Sequence, residues 1–181
     1  FRPRLVVDGG AGWPTAVQRA LPGAATQGGA RVTTAAAGDV LRLGPLKIAF
    51  LSPTAAAERL PPVGDPNNRA LVAHLSSGAF DLLLTADAES DVTGSLDLPA
   101  VEALKVAHHG SADPGLPAEL EQLQPQVAAI EVGRHNTYGH PTPTTLRALA
   151  GVPRVYRTDR DGTVQLHVTA ERMWVTRLEH G

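Results

Sequence analysis

The 181-residue sequence contains no cysteine, which excludes disulfides and thiolate metal sites together. Any metal would have to sit on His, Asp or Glu. The lack of cysteine leaves the compartment open, because a chain of this length can bury a core without crosslinks. Aromatic residues are only 4% of the chain, so Val, Leu, Ile and Ala must build that core. No apolar run reaches the roughly 18–20 residues that a membrane helix needs. An excess of one charge is missing as well. A formal net charge of -2 gives no global attraction for nucleic acid, so such binding would need a local basic patch. The opening Phe1-Arg2-Pro3-Arg4 carries neither an initiator Met nor a signal-peptide pattern, and it reads as a chain cut from something longer. Any membrane-spanning part of a parent is expected elsewhere.

What remains is ordinary globular composition, 43% hydrophobic and 19% charged, without repeats or heptads. The 18 Gly and 15 Pro are spread as punctuation between short segments. Residues 60–66 form the only breaker-rich stretch and read as a surface loop, so residues 1–181 are expected to be a single domain. Leu5-Val6-Val7 is a short apolar run stopped by Asp8-Gly9-Gly10. Helical spacing runs from Trp13 to Leu21 and ends at Pro22-Gly23. Strands are predicted at 31–34, 40–43, 47–51, 70–75 and 80–84, spaced closely enough for antiparallel meandering pairs. The second half alternates: strand 104–107, helix 116–123, strand 127–132, then a helix that Thr142 can cap with Pro143 at its first position. Strands at 155–157, 163–168 and 173–176 close the chain. Many strands with few helices imply an α+β fold of sheet layers covered by helix.

Three strand ends could carry chemistry. The run Leu82-Leu83-Leu84-Thr85-Ala86-Asp87 ends on a carboxylate, which either caps a following helix over 88–96 or offers a ligand. The run Leu104-Lys105-Val106-Ala107-His108-His109-Gly110-Ser111 ends on two imidazoles and a glycine that permits a tight turn. Adjacent residues on an extended chain point oppositely, so one of the pair is expected to bind a metal and the other to hydrogen-bond behind it or face substrate. The third, Val132-Gly133-Arg134-His135-Asn136-Thr137-Tyr138-Gly139-His140-Pro141, is a polar loop that brings His140 toward the same place. Together the clusters point to one site. His and carboxylate donors without thiolate suit Zn²⁺ or Mn²⁺.

The ordered set Leu-Leu-Thr-Ala-Asp87-Ala-Glu, Leu-Lys-Val-Ala-His108-His109-Gly-Ser, Glu-Val-Gly-Arg-His-Asn-Thr-Tyr-Gly-His140-Pro and Val-Tyr-Arg-Thr-Asp159-Arg-Asp-Gly162 resembles the C-terminal metallo-β-lactamase domain of the ComEC DNA-uptake proteins. The stretch Ala37 to Gly44, Leu51-Ser52-Pro53 and Asn67-Asn68 extend the resemblance over nearly the whole chain.

That resemblance implies an αββα sandwich of two mixed sheets with outer helices, incomplete here on its N-terminal side, with two divalent metal ions at the rim. It implies a metal-dependent nuclease outside the cytoplasmic membrane that degrades the DNA strand not taken up in natural transformation. Its partners would be single-stranded DNA, the membrane-spanning channel portion of the same parent and other competence proteins. By position, Asp87 matches the carboxylate bridging two metals, His109 or else His108 the late His ligand, and His140 the catalytic His of the Gly-His-Pro loop. Arg134, Asn136 and Lys105 are the candidate substrate contacts. The family's His-x-His-x-Asp-His motif is absent, and Phe1 is expected to begin just downstream of it. Ala86 replaces the usual Gly, and Glu131 stands where Ser is common. Two other functions keep the same fold: a non-catalytic DNA-guiding module, or a hydrolase of a small ester.

Overall fold

The computed structural model describes residues 2–10, 15–59 and 64–178. Thr15 starts the first helix by accepting a hydrogen bond from Gln18 N through its side chain (3.1 Å). Between β1 (Leu5–Asp8) and β2 (Arg31–Thr34), α1 runs over Ala16–Gln27, and the two strands pair in parallel. The predicted stop at Pro22-Gly23 is overturned: the helix runs through Pro22 and ends at Gly28, with Gly29 left-handed (φ +86°). Proline removes one helical donor and strains the preceding turn. Here Thr26 Oγ1 donates to the Pro22 carbonyl (2.8 Å), and the chain stays helical. Trp13, the predicted first residue of this helix, lies outside the described residues.

The main sheet has seven strands in the order β3 (Val40–Leu43), β4 (Leu46–Ser52), β5 (Val72–Ser77), β6 (Phe80–Leu84), β7 (Ala103–Lys105), β8 (Val127–Ile130) and β9 (Arg154–Arg157). The first four pair antiparallel, β3–β4 and β5–β6 through two-residue turns and β4–β5 across the long connection 53–71; the segment 31–34, expected in the same meander, pairs in parallel with β1 instead. From β6 to β9 the pairing is parallel, because each crossover carries a helix or long loop. The helices are α2 (Ala55–Arg59), α3 (Ser90–Thr93), α4 (Leu116–Leu123), α5 (Pro143–Ala148) and α6 (Thr158–Asp161). A hairpin of β10 (Thr163–Val168) and β11 (Met173–Leu178) ends the described chain.

Alternation along the strands sorts the core into faces. Leu83, Leu104, Ala128 and Ile130 point to the face where Val92, Leu120, Leu123 and Leu146 of α3, α4 and α5 pack. Phe80, Leu82, Ala103, Val127 and Tyr156 point to the other, against Leu166, Val168, Met173 and Val175 of the hairpin. On that same face Val7 of β1 packs with Ala35, Phe50, Ala73 and Leu75. The fold is therefore α+β, with α3, α4 and α5 on one side of a large mixed sheet and two separate strand pairs on the other. The expected second sheet is present as those two pairs, with no described ladder joining them. None of the described helices is long and apolar enough to cross a membrane.

One buried acid stands out between α3 and α4. Glu119 is 6% exposed, and one of its carboxylate oxygens, Oε1, has no hydrogen-bond partner. Burial raises its pKa from 4.5 to about 7, a hydrogen bond from Thr93 opposes the rise, and Asp113 adds to it. The unfolded chain releases this proton first, so the stabilisation is complete below pH 4.5 and is lost as pH rises toward 7. Urea unfolding should therefore show Glu119→Gln more stable than wild type at pH 8, by on the order of 2–3 kcal/mol, with the gap closing at pH 4.5.

Candidate functional site

Because β6, β7, β8 and β9 are parallel, their C-terminal ends reach one edge of the sheet, where open sheets of this kind place their ligands. Asp87 follows β6, Lys105 ends β7, Glu131 follows β8 and Thr158 follows β9. Thr85 Oγ1 donates to the Lys105 carbonyl (2.9 Å) and Thr158 Oγ1 accepts from Val132 N (2.7 Å), so hydroxyls tie neighbouring strand ends together. A cleft of about 660 Å³ opens there, with Asp8, Asn67 and Leu71 on one side and Asp87, Lys105 and His109 on the other.

Lys105 lies at the centre. Its side chain is 11% exposed, and Nζ donates to the Ala86 carbonyl (2.6 Å) while standing 3.9 Å from Asp87 Oδ1 and 4.0 Å from Glu131 Oε2. Burial lowers its pKa, against the pull of Glu131 and then of Asp87. The sequence marked Lys105 as a substrate contact; the structure shows it engaged with both carboxylates.

The histidines sit on a 3₁₀ turn, Ala107–Gly110, in which His108 (φ 46°), His109 (φ 55°) and Gly110 (φ 83°) are all left-handed. For a side-chain-bearing residue this conformation costs roughly 1–2 kcal/mol, and such strain concentrates at functional sites. It replaces the expected extended strand end over 106–107, and it brings the two rings to 6.5 Å between centroids, nearer than opposite-facing neighbours on a strand would stand. His109 Nδ1 donates to the Glu131 carbonyl (2.7 Å), which can only accept, so in the neutral ring Nε2 carries the lone pair. That Nε2 is 3.6 Å from Asp87 Oδ1. His108 turns the other way: its Nδ1 donates to Glu89 Oε1 (2.9 Å), which also accepts from Ser111 Oγ. The His140 ring stands edge-on to His108 with centroids 5.7 Å apart.

The structure thus gathers Asp87, Lys105 and His109, and sets His108 and His140 as a second group beside them. Asp87 does not cap a helix. The predicted helix over 88–96 shrinks to α3, whose first amide is held by Asp113 (Ser90 N to Oδ2, 3.0 Å). Asn136, predicted as a substrate contact, is spent on its own loop, donating to the carbonyls of Gly133 (3.2 Å) and His140 (2.9 Å). Arg134 is exposed on that loop. Sequence reasoning passed over Glu89, although it stands in the Asp87-Ala88-Glu89 motif; a carboxylate two residues past a candidate ligand was the available signal.

Among the described residues no three His, Asp or Glu side chains converge as a metal cluster. Asp87 and His109 fit as two donors, since the ring is oriented by a backbone carbonyl and its bare nitrogen faces the carboxylate. Two donors fall short of the four of a closed zinc site. Each unit of further positive charge about 4 Å from the Lys105 ammonium would be opposed by roughly 4 kcal/mol. The expected pair of cations is therefore not accommodated by the described residues alone.

Over 147 residues, 78% of its length, the chain is 35% identical to ComE operon protein 3 of Bacillus subtilis (strain 168). The ComEC resemblance holds. The chain spans 18% of the length of that relative. No family model matches. Among solved structures, a mutant of the CmlA beta-hydroxylase covers 87% of this chain at 12% identity with a TM-score of 0.49, a likeness too low to bear on fold or chemistry.

The backbone of the site carries two opposite expectations. Ala86 is left-handed (φ 50°), so Ala86→Gly should raise stability by roughly 1 kcal/mol. A Cβ on Gly110 would meet Pro141 Cβ at 2.6 Å, so Gly110→Ala should cost at least about 2 kcal/mol. Thermal unfolding would show this as a rise of a few degrees and a fall of roughly twice that.

Proposed function

We propose that this chain forms, as a single domain, one wall of the hydrolytic site of a metal-dependent nuclease in a DNA-uptake protein, placed on the outer side of the cytoplasmic membrane. The observation that carries the reading is the joint placement of Asp87, Lys105 and His109 at one sheet edge in a chain that resembles ComE operon protein 3 over most of its length. Asp87 and His109 are the donors this chain contributes to a Zn²⁺ or Mn²⁺ centre, with further donors from outside the described residues. A divalent cation bound there supplies Lewis acidity toward a phosphate oxygen and a water.

The remaining roles belong to the chain's own groups. Lys105 holds Asp87 and Glu131 in place and offers an ammonium to a phosphate oxygen at the floor of the cleft. Glu89 fixes the His108 ring through Nδ1, so Nε2 is the atom free to pass a proton, with His140 beside it as a second carrier. Such acid–base help is typically worth ~10²–10⁴-fold. Single-stranded DNA is the substrate, and the membrane channel and other competence proteins are the partners.

A second reading, a DNA-guiding module without catalysis, draws on the Lys105 ammonium lying between the two carboxylates. Hydrolysis of labelled single-stranded DNA separates the two. The whole protein carrying this chain, supplied with Mn²⁺ or Zn²⁺, should cleave. Its Asp87→Ala form should lose more than the ~10–100-fold typical of removing an outer-shell partner. Undiminished cleavage by Asp87→Ala takes Asp87 out of the site, and no cleavage by either form, with no cation bound, leaves the guiding module.

A further inference from the structure

Beside the main cleft lies a second hollow of about 330 Å³, bounded by His109 and Glu131 on one side and by Val132, Asn136, Tyr138 and His140 on the other. It shares His109 and Glu131 with the cleft, so whatever fills it lies next to Asp87 and Lys105. Its outer wall is the loop 133–140, and that loop is set in advance. The Asn136 side chain donates to the carbonyls of Gly133 and His140 and accepts from His140 N (3.2 Å), so one amide clamps both ends. On this braced loop Tyr138 is 83% exposed, its ring 6.1 Å from the His140 ring and tilted 32° to it. A large aromatic ring left in water on a rigid support gains by being covered with another flat ring.

We propose that this hollow is a subsite for one unpaired nucleobase, stacked on Tyr138, adjoining the Asp87–Lys105–His109 edge. The proposal rests on the nucleic-acid reading of that edge. Charge fixes which part of a nucleotide goes where. The exposed Glu131 carboxylate borders the hollow and repels a phosphate there, while it can accept a hydrogen bond from a base N–H. Lys105, on the cleft side of His109, carries the opposite charge and takes the phosphate. Base outward on Tyr138 and phosphate inward on Lys105 is the arrangement these charges permit. A duplex keeps its base faces stacked inside, so only a single strand presents a face to Tyr138.

Fluorescence anisotropy with a labelled oligodeoxythymidine of about ten nucleotides tests this, in EDTA so that cleavage does not intervene, with a hairpin duplex and an abasic strand beside it. Wild type should bind the thymidine strand more tightly than the duplex or the abasic strand. Tyr138→Ala should weaken binding of the thymidine strand about 5–100-fold and bind thymidine and abasic strands alike, while Tyr138→Phe stays within about twofold of wild type. The exposed position of Tyr138 leaves folding of both variants intact. If wild type binds the strand and Tyr138→Ala binds it equally well, the subsite is wrong and the nucleic-acid reading survives. Loss in Tyr138→Phe as large as in Tyr138→Ala would make the hydroxyl the contact and overturn stacking. Failure of wild type to bind any strand overturns both.

Discussion

Lys105 carries a positive charge into a place with 11% of its side chain exposed, and it holds three strand ends by doing so. Its ammonium donates to the carbonyl of Ala86 after β6 and faces the carboxylates of Asp87 and, after β8, Glu131. Removing it would leave the two acids lining the cleft with nothing of opposite sign between them. The left-handed turn that follows β7 then swings His109 back across the same edge, where the Glu131 carbonyl fixes its ring. The parallel half of the sheet supplies the convergence, and this one buried charge makes the convergence electrostatically tolerable.

Much of this was legible in the residues. Alternating apolar runs and the Gly44-Pro45 and Ser77-Gly78 turns placed the antiparallel strands from β3 to β6, and Thr142-Pro143 placed the start of α5. Asp87, Lys105 and His109 were readable because each follows an apolar run that a parallel sheet must end at one edge. The direction of the two imidazoles was not. Alternation along an extended chain was the available rule, but three consecutive left-handed residues obey no such rule, and only tertiary contacts sustain them. Glu89 escaped for a similar reason, since its tie to His108 depends on that turn. Pro22 misled because a local breaker was weighed above the continuing helix around it.

The two strand pairs on the far face give the molecule an uneven second layer. Each covers its own end of the seven-stranded sheet through its own small core. Between them the strand ends of β6, β7 and β8 stay open toward the cleft, and this is where the acidic, basic and imidazole groups collect. An exposed polar strand end tolerates charge that a fully covered one would not.

The histidine turn is also tied to a helix that carries none of its chemistry. The Gly110 carbonyl accepts from Thr142 N (2.8 Å), and the Ser111 carbonyl accepts from Thr145 Oγ1, so the first turn of α5 and the turn bearing both imidazoles share their hydrogen bonds. Thr142 caps that same helix through Thr145 N (3.3 Å). Fraying of α5 from its first turn would therefore release His108 and His109 in the same step, and the site would melt with a helix end rather than with the sheet beneath it.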